Sequence, residues 1–246
     1  MKSGPVVAVV LSRMTSSRLP GKALVDICGE PNLQHMLGRV QRARKLDAVV
    51  VATTTNRTDE PIVDLCRALS VPVARGSEDD VLARTFAAAA AQRAATVVRL
   101  TADCPMIDPA LIDEVIEFYE AGHWDYASNA NVRSYPDGLD VEVMSITALR
   151  QANAEATAPF LREHVTPYIR ASHPEHGCGV FRVGDVVCPW DFSHVRWTLD
   201  TAADLDVIRT LVSRLPDGYG WMHALAQATR EPRLLGTLVT GIQDNA

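Results

Sequence analysis

The 246-residue chain carries 24 Lys or Arg against 30 Asp or Glu, a formal net charge of −6, and is 47% hydrophobic. Such a chain can bury a sizeable core, and its charge excludes the general polyanion-binding surface of a nucleic-acid binder. Five cysteines (Cys28, Cys66, Cys104, Cys178, Cys188), odd in number and without C-x-x-C spacing, argue against a zinc ribbon or disulfide framework and for a reducing cytoplasm. No apolar run approaches the roughly 20 residues that span a bilayer, and the first one is too short for a signal peptide, so no membrane partner is expected.

In chain order, Val6–Leu11 reads as a buried strand. It leads into Ser12-Arg13-Met14-Thr15-Ser16-Ser17-Arg18-Leu19-Pro20-Gly21-Lys22, a loop of hydroxyls and three cations. Pro31–Arg44 reads as an amphipathic helix, with Leu33, Met36, Leu37 and Val40 inward. Arg39, Arg42, Arg44 and Lys45 then form a solvated face. Ala48–Ala52 is a second buried strand, Glu60–Leu69 a helix, Val71–Ala74 a short strand, Asp79–Arg93 an Ala-rich helix, Thr96–Leu100 a strand and Pro109–Ala121 a helix capped by Asp108.

Strand and helix alternate over residues 1–121 with short connections, which predicts a mostly parallel sheet covered by helices on both faces. The second half is less regular. Asp125–Ser128 and Leu139–Met144 are strand candidates flanking the turn Tyr135-Pro136-Asp137-Gly138. Helices are expected over Ile146–Ala156, Arg162–Ala171, Thr201–Arg214 and Trp221–Leu235, a hairpin over Gly179–Val187, and a strand over Val195–Leu199 ending at Asp200.

The polar segments follow strands, and open α/β sheets bind ligands at the carboxyl ends of their strands. Residues 1–45 carry a local charge of +6 and the remainder −12, which suits a small phosphorylated ligand. The loop lacks the Walker A pattern. Arg13, Arg18 and Lys22 nevertheless supply forked and mobile donors for phosphate oxygens, against the alternative of three surface cations. Asp103 and Asp200, each at a strand end, fit a divalent cation shared with phosphates, with helix capping as the competing role.

Over nearly the whole chain to about Leu215, these motifs resemble the SpsF-type cytidylyltransferases, in the superfamily of CMP-3-deoxy-manno-octulosonate synthetase and CMP-acylneuraminate synthetase. The N-terminal loop is similar to that superfamily's A-R-x-x-S-x-R-L-P-G-K. The resemblance continues through Val51-Ala52-Thr53-Thr54, Arg75-Gly76-Ser77-Glu78-Asp79-Asp80-Val81-Leu82, Thr101-Ala102-Asp103-Cys104-Pro105, Tyr135–Val143, Arg162–Ile169 and Arg196-Trp197-Thr198-Leu199-Asp200. Ser12, Thr15 and Ala102 depart from the pattern's Ala, Gly and Gly, and by this resemblance a hydroxyl at Ser12 could touch the base or the α-phosphate.

The resemblance implies one domain over residues 1–246: a Rossmann-like, GT-A-type nucleotidyltransferase sheet with a smaller β-containing acceptor or dimerisation lobe. Residues 1–121 would be the nucleotide-binding half, about 122–195 the acceptor part, and 196–246 a return to the core. It implies CTP held by Leu11, Ser12, Arg13, Met14, Arg18, Lys22, Arg75, Gly76, Ser77, Thr101 and Ala102. Mg²⁺ would sit on Asp103 and Asp200, and Arg13, Arg18, Lys22 and Asp103 would form the catalytic set.

A hydroxyl of an acidic sugar would attack the α-phosphate and release pyrophosphate, in polysaccharide biosynthesis, within a homodimer. Tyr135, Asp137, Asp140, Glu142, Arg162 and His164 are the acceptor candidates. Asp140 and Glu142 would share one side of a strand whose other side carries Leu139, Val141 and Val143. The competing readings are a phosphonate or polyol-phosphate acceptor, a glycosyltransferase (which would want a D-x-D pair that Asp103-Cys104-Pro105 lacks) and an inactive nucleotide-binding module.

Overall fold

The computed structural model describes residues 4–173 and 179–236. Cys178 lies outside them, and the other four cysteines are unpaired. Strand β1 (Val6–Leu11) is buried along its whole length. Each of its valines contributes on the order of 1.5–3 kcal/mol by leaving water. After the basic loop come a short hairpin, β2 (Asp26–Ile27) and β3 (Glu30–Pro31), and helix α1 (Asn32–Val40). There follow β4 (Ala48–Thr54), α2 (Glu60–Ala68), β5 (Val73–Gly76), α3 (Val81–Ala91), β6 (Thr96–Thr101) and α4 (Pro109–Gly122). Strands β5, β4, β1 and β6 are parallel neighbours in that order.

The second half extends the same sheet. β8 (Glu142–Ser145) runs antiparallel to β6, β7 (Tyr126–Ser128) antiparallel to β8, and β9 (Val183–Asp185) parallel to β7. The part expected to hold an acceptor thus continues the main sheet, whose only reversed strand among the described residues is β8. The remaining helices are α5 (Ile146–Glu155), α6 (Pro159–His164), α7 (Pro167–Arg170), α8 (Ala202–Val212) and α9 (Trp221–Ala228).

Two apolar layers follow from the period-two alternation of β1. Val6, Ala8 and Val10 pack with α1, α2, α4, α8 and α9. Val7, Val9 and Leu11 pack with α3, α5 and α7. Helix starts are fixed by side chains: Asp80 caps α3, Asp108 caps α4, Ser145 caps α5, and Thr201 with Asp204 forms a capping box on α8.

Four expectations are corrected. Arg39 is buried rather than solvated. Its guanidinium donates to the carbonyls of Ile107 (2.7 Å) and Tyr219 (3.1 Å) and lies over the Tyr219 ring. The expected helix over Arg162–Ala171 is split, because Val165 stands at φ +71°, ψ −57° and Thr166 N–H bonds back to the His164 carbonyl (2.8 Å). That is a tight γ-turn, an uncommon conformation for a β-branched residue. No hairpin forms at Gly184-Asp185, since this stretch pairs in parallel with β7. Residues 195–199 are not a sheet strand. Apart from one bridge between Asp137 and Arg196, their amides go to loop carbonyls, including Leu199 N–H to Asp103 (2.7 Å).

The close approach of the 135–138 turn to Trp197 depends on a glycine. Gly138 has φ +102°, and a Cβ there would lie 2.7 Å from the Trp197 carbonyl carbon. Gly29 has nearly the same φ, +101°, with nothing within 4 Å. Both alanine variants incur backbone strain of roughly 1–2 kcal/mol. Only Gly138→Ala adds the collision, so in urea denaturation it loses about 2 kcal/mol more than Gly29→Ala.

Candidate active site

The site begins with strand register. Leu11 on β1 pairs with Thr101 on β6, so the chain leaves both strands side by side at their carboxyl ends. Ala102 N–H donates to the Leu11 carbonyl (2.9 Å) just beyond the sheet. The order β5-β4-β1-β6 means that the chain first builds to one side of β1 and then returns to the other, and crevices form at such switch points. The basic loop and Asp103 therefore open onto one cleft. Ala102 takes an ordinary negative φ, so it fills the motif's glycine position without strain.

The loop is held from below by Asp59, which is fully buried. Its carboxylate accepts from Met14 N–H (2.9 Å), the Thr53 hydroxyl (2.9 Å), and the Thr54 N–H (3.1 Å) and hydroxyl (2.6 Å). Burial alone would raise this carboxyl, but the donors from Thr54, Met14 and Thr53 hold it below its usual range. Gly21, at φ +73°, closes the loop with its N–H on the Met14 carbonyl (3.0 Å). This bond brings Lys22 back toward the strand ends.

Lys22 Nζ lies 3.2 Å from Asp103 Oδ2 and 2.9 Å from Asp200 Oδ1. Asp200 Oδ2 receives Arg18 at 3.1 Å and Arg196 at 2.7 Å. Burial would lower the Lys22 ammonium, but Asp103 and Asp200 hold it above its ordinary value. Burial would likewise raise Asp103, while Lys22 and the Thr101 hydroxyl keep its carboxyl below the usual range. Cys104 beside it is pushed well above the ordinary thiol value by burial and by Asp103, so it stays a neutral thiol. No cluster of three His, Cys, Asp or Glu side chains suited to a metal occurs among the described residues. Two converging carboxylates are nonetheless a hard-oxygen donor set of the kind Mg²⁺ accepts when phosphate oxygens and water complete the shell.

This cleft, about 450 Å³, is lined by Leu11, Ser12, Arg13, Arg18, Lys22, Thr101, Ala102, Asp103 and Asp200, all named from sequence. It is also lined by Arg84 and Glu163, which were not. Arg13 pairs with Glu78 at 3.2 Å, and Glu78 also accepts from Thr15 and Asn56. Ser12 Oγ is buried without a hydrogen-bond partner. A second cavity of about 750 Å³ adjoins the first and shares Arg99, Thr101 and His164 with it. Asp140 and Glu142 line this second cavity while Leu139, Val141 and Val143 point into the core, although the strand expected over Leu139–Met144 is observed only as Glu142–Ser145.

Glu142 is tied to Arg99, its cross-strand neighbour, and accepts from Tyr126 and Thr166 (2.7 Å each). Burial would raise Glu142, yet Arg99, Thr166 and Tyr126 hold it below its usual range. Asp140 pairs with Arg133 at 3.2 Å, but burial dominates and pushes its carboxyl up to about 6.

Several expected site residues lie elsewhere. The Arg75 guanidinium is spent on the Thr54 and Asn56 carbonyls (2.9 and 3.0 Å) and Glu60 (2.6 Å). Gly76 bonds to Thr55 N–H, and a Cβ there would meet Arg84 at 3.1 Å, while Ser77 Oγ accepts from Asp80 N–H (3.1 Å). The Met14 side chain packs against the core. Tyr135 is a core residue whose ring meets Trp221 and whose hydroxyl donates to Glu114 (3.2 Å). Arg162 grips Asp80 with two donors (2.9 and 2.6 Å) and the Asn153 carbonyl (2.7 Å), stapling α6 to the start of α3. Asp137 lines neither cavity and lies between Arg133 (3.4 Å) and Arg196 (3.3 Å). The clearest missed signal is Arg99, one cation in the apolar run Thr96-Val97-Val98-Arg99-Leu100.

Two outcomes follow for the carboxylates. Asp59→Asn puts an amide NH₂ against donors and lowers stability by about 2–3 kcal/mol at pH 7. Because the folded value of Asp59 is depressed, its contribution is complete above the unfolded value of ~3.9 and is lost as pH falls through the folded value. The variant's acid-denaturation limb is therefore shallower than the wild type's. Asp140 has the opposite sign: its folded value lies above the unfolded one, so its stabilisation is complete below pH ~4 and is lost as pH rises through about 6. Carboxyl NMR should find Asp140 titrating near pH 6, and the stability of Asp140→Asn, relative to wild type, rises across that interval.

A family model described as Cytidylyltransferase matches residues 7–184. The spore coat polysaccharide biosynthesis protein SpsF of Bacillus subtilis is 31% identical over 85% of this chain and 87% of its own length. An uncharacterised protein of Methanocaldococcus jannaschii is 38% identical over 67% of this chain, which spans 66% of that protein's length. The solved structure of a cytidylyltransferase from Leptospira borgpetersenii superposes with a TM-score of 0.88 at 26% identity, covering 97% of this chain and 99% of its own. With the family match running over well more than half its length, the chain belongs to the cytidylyltransferase family of nucleotidyltransferase enzymes.

Proposed function

We propose that the protein transfers CMP from CTP to a hydroxyl of an acidic sugar or similar acceptor, with Mg²⁺ and with release of pyrophosphate. The supporting observation is the pair of adjoining cavities that share Arg99, Thr101 and His164. One carries the basic loop and two converging carboxylates, and the other carries charged side chains suited to a polar acceptor. Arg18 and Lys22, now on Asp200 and Asp103, are free to exchange to triphosphate oxygens when a nucleotide enters. With Arg13 they would hold the triphosphate and balance charge on the leaving pyrophosphate. Leu11–Arg13, Thr101 and Ala102 would form the wall for base and ribose, with the unpartnered Ser12 hydroxyl donating to the nucleotide.

Asp103 and Asp200 would hold the Mg²⁺, which when bound supplies a Lewis acid at the α-phosphate and lowers the pKa of an attacking hydroxyl. His164 and Arg99 stand where the two ligands would meet, and Asp140, Arg133 and Arg170 line the acceptor side. Assembly as a homodimer in the cytoplasm belongs to the same reading, and light scattering on the purified protein tests the dimer.

The decisive assay supplies each NTP with Mg²⁺ and a panel of sugar acids, phosphonates and polyol phosphates, and measures pyrophosphate. Acceptor-dependent release with CTP is expected. A phosphonate or polyol phosphate as the productive acceptor would reassign the acceptor class. Release of a nucleoside diphosphate from a sugar nucleotide would sink the reading in favour of glycosyl transfer. Asp103→Asn and Lys22→Met are expected to lower kcat/KM roughly 100-fold or more. Ser12→Ala leaves the melting temperature unchanged, because its hydroxyl has no partner to lose, and raises KM for CTP about 3–10-fold.

A further inference from the structure

We propose that Arg196 is the positioning residue that fixes the Asp200 carboxylate, holding Oδ2 away and reserving Oδ1 for the cation and nucleotide. This rests on the reading of Asp200 as a metal ligand. Of the three cations on Asp200, Arg18 and Lys22 come from the basic loop and are needed on the triphosphate. Arg18 is 46% exposed, whereas Arg196 is 7% exposed. Arg196 cannot follow a ligand, because every face of its guanidinium is engaged. Its NH2 meets Asp200 Oδ2 at 2.7 Å, its NH1 meets Asp204 Oδ1 at 2.8 Å, and its Nε meets Asp137 Oδ2 at 3.3 Å.

Asp204 does a second job with its other oxygen. Oδ2 accepts the backbone N–H of Asp200 (3.0 Å) and of Thr201 (2.8 Å). Main chain and side chain of Asp200 are thus fixed by one carboxylate–guanidinium unit. The main chain of Arg196 is anchored too, through its N–H on the Leu235 carbonyl (2.7 Å). On the other side, Leu199 N–H binds the Asp103 carbonyl (2.7 Å), which sets the two carboxylates in mutual register. When Lys22 leaves, Arg196 remains to stop the two acids from springing apart, and Oδ1 stays directed at Asp103. Groups that orient a metal ligand in this way typically carry 10–100-fold in metal affinity or activity. Lysine cannot replace the fork, since it offers one mobile ammonium for three carboxylates in fixed directions.

The test is Mn²⁺ affinity by electron paramagnetic resonance, with CTP present, on wild type, Arg196→Lys and Asp137→Asn, alongside their melting temperatures. The lysine variant keeps the charge and removes only the geometry. It should bind Mn²⁺ in the presence of CTP about tenfold or more weakly. Asp137→Asn removes a different partner of the same guanidinium and should stay within about twofold of wild type. Equal affinity in Arg196→Lys and wild type, or equal losses in both variants, overturns the proposal and leaves Arg196 a staple of the fold. Should Arg196→Lys not fold, Asp204→Asn takes its place, with a loss of about threefold or more expected and no loss overturning the idea. Wild-type protein that binds no Mn²⁺ with CTP would overturn the reading of the site itself, an outcome visible before any variant is compared.

Discussion

Two carboxylates facing one another at the edge of an apolar core would repel. At an effective dielectric of about 20, like charges some 6 Å apart cost about 3 kcal/mol. The Lys22 ammonium removes that cost by lying between Asp103 and Asp200. Much of the architecture serves this contact. The β1–β6 register places the loop and Asp103 together, Asp59 pins the loop at Met14, Gly21 turns it back, and the Leu199–Asp103 bond brings Asp200 across from the far end of the chain. In the proposed reaction the same ammonium would be the group to meet a triphosphate. A ligand that brings its own cation and offers its own anion satisfies all three charges at once, whereas a bare divalent ion must first displace Lys22.

Behind the carboxylates runs a chain of ion pairs that crosses from one cavity to the other. Asp103 and Asp200 share Lys22, Asp200 shares Arg196 with Asp137, and Asp137 shares Arg133 with Asp140 on the acceptor side. Exposed pairs of this kind contribute little singly. Their value here is geometric, because Arg196 is buried and ties Asp137 to Asp200 and Asp204 at the start of α8. Removing one member leaves a half-buried charge without its counterion, which is where the larger penalties lie.

The first half of the chain was legible because its signals are local. Valine runs, helical spacing and capping aspartates each act within a few residues, and the observed β1, α2 and α4 lie within a residue or two of expectation. The basic loop and Asp103 could be named because residues at the carboxyl ends of parallel strands converge by topology alone, whereas Asp200 joins them through a loop held by the Leu199–Asp103 bond. The acceptor side was less legible. Whether Arg162 faces a ligand or a neighbouring cap depends on Asp80, 82 positions away, and the helix around it breaks at Val165 for tertiary reasons. Arg39 shows the same limit: a cation on a helix reads as solvated until three distant carbonyls are seen around it.

On the proposed assignment of the two cavities, the division of the sheet makes nucleotide and acceptor different problems. The nucleotide side is built on parallel strand ends whose spacing is fixed by backbone hydrogen bonds, so a ligand of constant shape meets a constant frame. The acceptor side is built on the reversed strand β8 and on loops and short helices, where side chains set the shape. Its floor is rigid at Glu142, which spends itself on Arg99, Tyr126 and Thr166. Its rim carries the guanidinium groups of Arg133 and Arg170 and the imidazole of His164, from three different segments. The γ-turn at Val165 sets His164 and Thr166 on either side of a fully buried side chain, His164 at the junction of the cavities and Thr166 on Glu142. The strain at that residue is held in place by the core beneath it. In the proposed reaction, a backbone held so firmly at the seam between two cavities would fix the point at which an acceptor hydroxyl and a nucleotide phosphate are brought into line.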